Sequence, residues 1–308
     1  MVRKKLVVIV GPTAVGKTAT GISLAKSFQG EIISGDSMQI YRGMDIGTAK
    51  VSEEEMEGIP HYLIDIKEPT ESFSVAEFQE LAKKKIMDIT HRGRTPFIVG
   101  GTGLYVNSVI HDYDFSESVG DPSLRLKYER FAEEHGKESL HYLLKEVDPE
   151  SFKALHPNNV RRVVRALEVY ELTGQRIGER PDQPLESPYD TTVIGLTMDR
   201  DELYKRINYR VDLMIEQGLL EEARELYHKG VINCQSVQAI GYKEIYSYLQ
   251  GKISLEESIE MLKQNSRRYA KRQLTWFRNK MDITWFDMTQ NRKKKLEEIH
   301  QFVEGKLF

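Results

Sequence analysis

The 308-residue chain has one cysteine, Cys234, and two tryptophans. A single thiol excludes an internal disulfide and any zinc site built from several cysteines. It suits a reducing compartment. No apolar stretch approaches the roughly 20 residues that a membrane-spanning helix needs. No aspartate has a glycine three residues on, so the D-x-x-G switch of GTPases is missing. Asn279-Lys-Met-Asp282 matches the guanine-reading N-K-x-D motif, but it closes a helical pattern instead of following a strand. We read it as coincidence. Neither charge dominates: 44 basic and 47 acidic residues leave −3, with no global mark of nucleic-acid binding. The eight histidines show no ligand spacing, and there is no internal repeat or low-complexity tract.

What is present, from residue 6 on, is LVVIVGPTAVGKT. Leu6 to Val10 suit a strand buried on both faces. Gly11-Pro12-Thr13-Ala14-Val15-Gly16-Lys17-Thr18 is a full G-x-x-x-x-G-K-[ST] phosphate loop. Gly11 and Gly16 can take positive φ, which lets successive backbone N–H groups converge on an anion. The helix that follows points its positive end at the same place. Lys17 adds a mobile charge, and the Thr18 hydroxyl can ligate Mg²⁺. The basic, apolar start of the chain leads directly into this loop, so it reads as the first strand and not a signal peptide. The expected location is the cytoplasm.

Helix 18–29 is expected to end at Gly30 in the left-handed conformation. Residues 31–34, 61–66, 96–99 and 192–197 read as strands. Residues 37–50 lack any period and read as a functional loop. Ser74 with Glu77, and Ser254 with Glu257, form capping boxes. Alternating strands and helices predict an α/β fold, a parallel sheet of the phosphate-loop NTPase kind flanked by helices. Its ligands belong at the carboxyl ends of the strands. From 116 to 174 only helices are expected, with Asp121-Pro122 and Asp148-Pro149 as N-cap and N1 pairs. Pro181, Pro184 and Pro188 look like a linker. We expect a core of 1–115 and 190–308, helical in its C-terminal part, and an all-helical insertion of 116–189.

Asp36 stands at a strand end beside the phosphate site. It can hold Mg²⁺ through water, remove a proton, or merely cap the Gly35–Ser37 turn. Thr102 puts a hydroxyl on the same rim or is a plain turn residue. Arg206 and Arg210 lie one turn apart and can reach a phosphate or pair with surface acids. Arg161, Arg162 and Arg165 share the insertion's last helix. Residues 261–281 hold seven Lys and Arg and no acid, with Tyr269, Trp276 and Phe277 interleaved. That composition points to nucleic acid, against the plainer reading of a solvated face. Arg292-Lys-Lys-Lys295 reads as a solvated helix start.

Seven segments together resemble the tRNA dimethylallyltransferases, also called tRNA isopentenyltransferases. They are the phosphate loop, Asp36-Ser-Met-Gln39, Tyr41 to Lys50, Gly100-Gly-Thr-Gly-Leu-Tyr105, Arg165 to Tyr170, Ile240-Gly-Tyr242 and Ala270 to Arg278. The resemblance runs in order over nearly the whole chain. With one cysteine, the chain lacks the zinc finger of larger eukaryotic members and looks like the bacterial form. The resemblance implies transfer of a dimethylallyl group from dimethylallyl diphosphate to N6 of adenine 37 of tRNA, with pyrophosphate leaving and Mg²⁺ assisting. It makes Asp36 the catalytic base and Thr102 the residue that orients the amine. It puts Gly11 to Thr18 and Arg210 on the diphosphate. It puts Asp36, Ser37, Met38, Gln39, Thr102, Arg125, Arg161, Arg162, Val163, Val164 and Arg165 on the tRNA, at its anticodon stem-loop. A monomer is expected. Without the resemblance, a kinase with a helical lid is the first reading of the loop, and an RNA-binding module with a relict loop is a third.

Overall fold

A computed structural model describes residues 3–113, 120–179 and 186–308. The chain divides into two compact units, Met1–Asp112 with Glu186–Phe308, and Tyr113–Leu185. The first begins with β1 (Lys4–Val10), α1 (Lys17–Ser27), β2 (Gly30–Ser34), α2 (Glu53–Met56), β3 (His61–Tyr62), α3 (Val75–His91), β4 (Thr95–Gly100) and α4 (Gly103–Ile110). The second unit contains α5 (Pro122–His135), α6 (Lys137–Tyr142), α7 (Leu144–Val147), α8 (Pro149–Ala154) and α9 (Val160–Thr173). The first unit resumes with β5 (Tyr189–Thr197), α10 (Arg200–Glu216), α11 (Leu219–His228), α12 (Tyr242–Leu249), α13 (Leu255–Lys280), β6 (Thr284–Asp287) and α14 (Arg292–Leu307).

The six strands form one parallel sheet in the order β3-β2-β4-β1-β5-β6. Leu6 to Val10 are fully buried because helices cover both faces of the central strand. Val10 stands level with Gly100 on one side and Gly195 on the other, so the phosphate loop and the Gly100–Tyr105 turn leave the sheet side by side. Gly100 and Gly35 meet backbone to backbone there, with no room for a Cβ on Gly100.

Several expectations need correction. Gly30 does not end α1; Gln29 takes the left-handed position with φ 50°, and Gly30 opens β2 under the Phe97 ring. The strand expected over 61–66 stops after Tyr62, because Leu63 and Asp65 have positive φ. The C-terminal part is not wholly helical: Thr284–Asp287 adds β6 to the sheet edge. The 116–189 insertion is the separate unit 113–185. Tyr189 already pairs with Lys4, and Glu186 bonds Arg3, so both belong with the sheet. Pro181 and Pro184 lie outside the described residues. Among those described, no helix is long and apolar enough to cross a membrane.

The second unit has its own core of Leu140, Leu144, Val163, Val164, Ala166 and Leu167. Asp121 and Asp148 cap α5 and α8 with proline at the first helical position, and Gly174 ends α9 with φ 70°.

Candidate active site

The phosphate loop has three left-handed residues: Gly11 at φ 151°, Ala14 at 63° and Gly16 at 107°. Its carbonyls are held by cations. Lys17 Nζ donates to Pro12 O at 2.8 Å, Arg206 Nε to Ala14 O at 3.0 Å and Arg292 Nη2 to Val15 O at 3.4 Å. With these carbonyls drawn toward the cations, the loop's remaining N–H groups are available to an anion. Burial lowers the Lys17 ammonium to about 8; Asp36 opposes the shift and Arg210 adds to it. Burial also lowers Arg206, with Arg292 and Arg210 contributing. Arg210 is lowered by burial, while Glu55 and Asp36 act in the other direction. Neither Arg206 nor Arg210 pairs with a surface acid among the described residues. The surrounding cleft, about 940 Å³, is lined by Gly16, Lys17, Thr18, Arg206, Tyr209 and Arg210. Arg292, Lys293 and Lys294 are exposed on the first turn of α14, as expected of a solvated helix start, and Arg292 in addition reaches the loop. Its cue is only the three-dimensional closeness of α14 to the loop, which no local pattern in the sequence announces.

Asp36 accepts a hydrogen bond from Met38 N–H on Oδ1 at 2.8 Å, the turn geometry expected of a short carboxylate. Asp36 also lines the cavity beside the rim. Ser37 N–H donates to Thr102 Oγ1 at 3.1 Å, and Thr102 N–H to Gly35 O at 3.1 Å. The ends of β2 and β4 are thereby tied together. Gln39 is engaged internally: it accepts from Ser34 Oγ at 3.0 Å and donates to Thr48 O and Ala49 O at 3.4 and 3.3 Å. It shapes the 37–50 loop.

A cavity of about 290 Å³ lies beside these groups. Thr13, Asp36, Ser37, Arg210 and Arg272 supply its polar wall, and Ile207, Val211, Met214, Ile240 and Leu262 its apolar wall. Tyr269 also lines it; burial and the nearby Asp36 raise its phenol, and its hydroxyl interacts with Thr102 and Gln273. Gln273 is 5 % exposed; its Oε1 accepts from Thr13 N–H and its Nε2 donates to Gly101 O, both at 2.9 Å. Sequence reasoning gave Gln273 no role, since a glutamine within a basic helix carries no signal of its own.

In the second unit, Arg125 Nε and Arg165 Nη1 both donate to Glu168, at 2.7 and 2.5 Å, and this carboxylate is fully buried. Arg161 and Arg162 are exposed. Val163 and Val164, 0 % and 3 % exposed, pack their side chains into the core of this unit. In the basic helix α13, Lys263 pairs with Asp212 and Glu260, and Arg267 bonds Asn208. The run of seven cations is therefore not seven free ones. Asn279 and Lys280 end α13, as expected of a chance N-K-x-D match.

A cationic phosphate loop, with a carboxylate and a hydroxyl on the same rim beside a half-apolar cavity, marks the candidate site of this α/β protein. The chain belongs to the IPP transferase family, whose profile matches residues 39–280. It is 62 % identical to the tRNA dimethylallyltransferase of Bacillus cytotoxicus, over 99 % of this chain and 96 % of that one. It is similar to the crystal structure of the full-length tRNA isopentenylpyrophosphate transferase of Bacillus halodurans, with TM-score 0.77, 59 % identity and coverage of 99 % and 97 %. A eukaryotic dimethylallyltransferase captured acting on tRNA matches with TM-score 0.83, 32 % identity and coverage of 98 % and 80 %.

Proposed function

We propose that the chain transfers the dimethylallyl group of dimethylallyl diphosphate to N6 of adenine 37 in tRNA, working as a monomer in the cytoplasm. The observation that carries this reading is the cavity whose apolar wall starts where the phosphate loop and Arg210 end. An ATP-dependent kinase has no use for an isoprenoid-sized apolar wall at the phosphate end of its ligand. The names of the relatives support the same reading.

The diphosphate lies on the loop N–H groups, Lys17 and Arg210, with Thr13 at its edge. The base leaves the anticodon stack to reach the rim. Thr102 Oγ1 accepts one N6–H and orients the amine. The N6 lone pair forms the bond to C1 of the dimethylallyl group as the C1–O bond breaks, and that electron pair leaves with pyrophosphate. Asp36 takes the N6 proton, which the delocalised lone pair of adenine makes necessary. Lys17 and Arg210 stabilise the growing charge on the leaving group.

Magnesium fits the residues present. Thr18 offers an exposed hydroxyl at the loop, and among the described residues no three His, Cys, Asp or Glu converge to cage a metal. The ion would be held by Thr18 and the diphosphate's own oxygens, as Mg²⁺ prefers, and would neutralise charge on the leaving group. Arg161 and Arg162, with Arg125 and Arg165 set by Glu168, are the cations of the insertion offered to the anticodon stem-loop.

The deciding assay incubates labelled dimethylallyl diphosphate, or labelled ATP, with unmodified tRNA and Mg²⁺. Prenyl label on adenine 37 is expected. Phosphoryl transfer from ATP would establish the kinase, and tRNA binding with neither transfer would establish the RNA-binding module.

A further inference from the structure

We propose that Gln273 is a positioning residue that sets the separation between the leaving diphosphate and the accepting amine; this rests on the prenyl-transfer reading above. The phosphate loop follows β1 and the Gly100–Tyr105 turn follows β4. Past the strand ends, Gln273 is the side chain that hydrogen-bonds the backbones of both. Its amide offers one acceptor and one donor, pointing apart, and each finds one partner: Thr13 N–H and Gly101 O. Burial of the side chain removes water as a substitute for either.

The bridge sits where spacing matters. Thr13 is next to the cavity that receives the donor, and Gly101 immediately precedes Thr102. Tyr269, one helical turn before Gln273, interacts with both Thr102 and Gln273. Trp276 packs so tightly on Gly103 that a Cβ there would collide with its ring. Three successive inward positions of α13 thus brace one turn of the rim, and only Gln273 extends the brace to the phosphate loop. The Thr13 N–H it occupies is also withdrawn from the set that can hold the anion, so the bound diphosphate is displaced toward Lys17 and the helix end. The charged and titratable groups around the bridge are Lys17, Asp36 and the Tyr269 phenol.

Neither Gln273→Leu, which keeps the approximate volume, nor Gln273→Glu, which keeps only acceptors, can bridge the two segments. Single-turnover prenyl transfer with enzyme in excess separates positioning from folding. Both variants are expected to keep the full amplitude and tRNA affinity; Gln273→Leu should bind inorganic pyrophosphate within a few-fold of wild type, and Gln273→Glu, which adds a carboxylate beside the phosphate loop, more weakly. Their rate constant should fall about 10²-fold, the scale of a misplacement near 1 Å. A rate constant within a few-fold of wild type in either variant overturns the proposal. So does a loss confined to amplitude, which would make Gln273 merely structural. Wild type run alongside keeps the two readings apart: no transfer by wild type would remove the prenyl-transfer reading itself.

Discussion

Lys17 is the residue whose environment gives the clearest pH signature. In the free site its ammonium is lowered to about 8 by burial, against 10.5 in the unfolded chain. A bound diphosphate favours the charged form and raises the value again. Below about 8 both free and bound forms are protonated and affinity is flat; above it, binding must take up a proton and affinity falls by up to about tenfold per pH unit. Titration with inorganic pyrophosphate, with proton uptake read by calorimetry in buffers of different ionisation enthalpy, checks this. Lys17→Met should bind weakly and lose the slope; a wild-type affinity independent of pH across that range would refute the assignment. Asp36 is tested differently. As the base, Asp36→Asn should lower the single-turnover rate about 10²- to 10⁴-fold with donor and tRNA affinities little changed. If Asp36 instead positions Mg²⁺, the variant binds metal and diphosphate poorly and excess Mg²⁺ restores the rate. The rate measured across a Mg²⁺ titration separates these roles.

At the scale of elements, what the sequence disclosed was local. Ser74 with Glu77 and Ser254 with Glu257 form their capping boxes as read, because a cap depends only on residues three apart. The phosphate loop is equally local. Arg292 and Gln273 were illegible because their partners lie 277 and 260 residues away. β6 was missed since four half-exposed residues at a sheet edge carry no run long enough to read. The 37–50 loop shows the same division: its lack of periodicity was visible, its anchor was not. Glu222 of α11 accepts the Asp45, Ile46 and Gly47 N–H groups at 2.8, 2.9 and 3.0 Å and the Tyr242 hydroxyl at 2.6 Å. Gly47 to Ala49 also wall the apolar cavity. Glu222→Ala should therefore loosen this loop by about 2 kcal/mol. The expected readout is faster proteolysis within 42–50 and a raised KM for the prenyl donor, with the tRNA affinity kept. Unchanged cleavage would show that the loop is held by its other contacts.

On the scale of the whole molecule, a net charge of −3 gives no general attraction to RNA. Any grip must come from local sets of unpaired cations. Buried Glu168 already engages Arg125 and Arg165, which fixes their direction but offsets part of their charge. Arg161 and Arg162 are exposed on the first turn of α9 and have no acid partner among the described residues. They should dominate the counterion release from this unit. Each phosphate contact contributes about 0.7 to 0.9 to the slope of log affinity against log salt. Arg161→Ala with Arg162→Ala should thus flatten that slope by about 1.4 to 1.8. Pyrophosphate affinity should stay at the wild-type value, because the phosphate loop and its cations all belong to the other compact unit. Arg165→Ala should behave differently: it leaves Glu168 with one cation fewer, so it should weaken tRNA binding and also lower the stability of the unit's core. Fluorescence titrations of tRNA over a salt series, paired with thermal unfolding, distinguish the two. A slope unchanged in the double variant would remove the start of α9 from the RNA interface and leave the grip to α13, where Arg268, Lys271 and Arg272 are exposed.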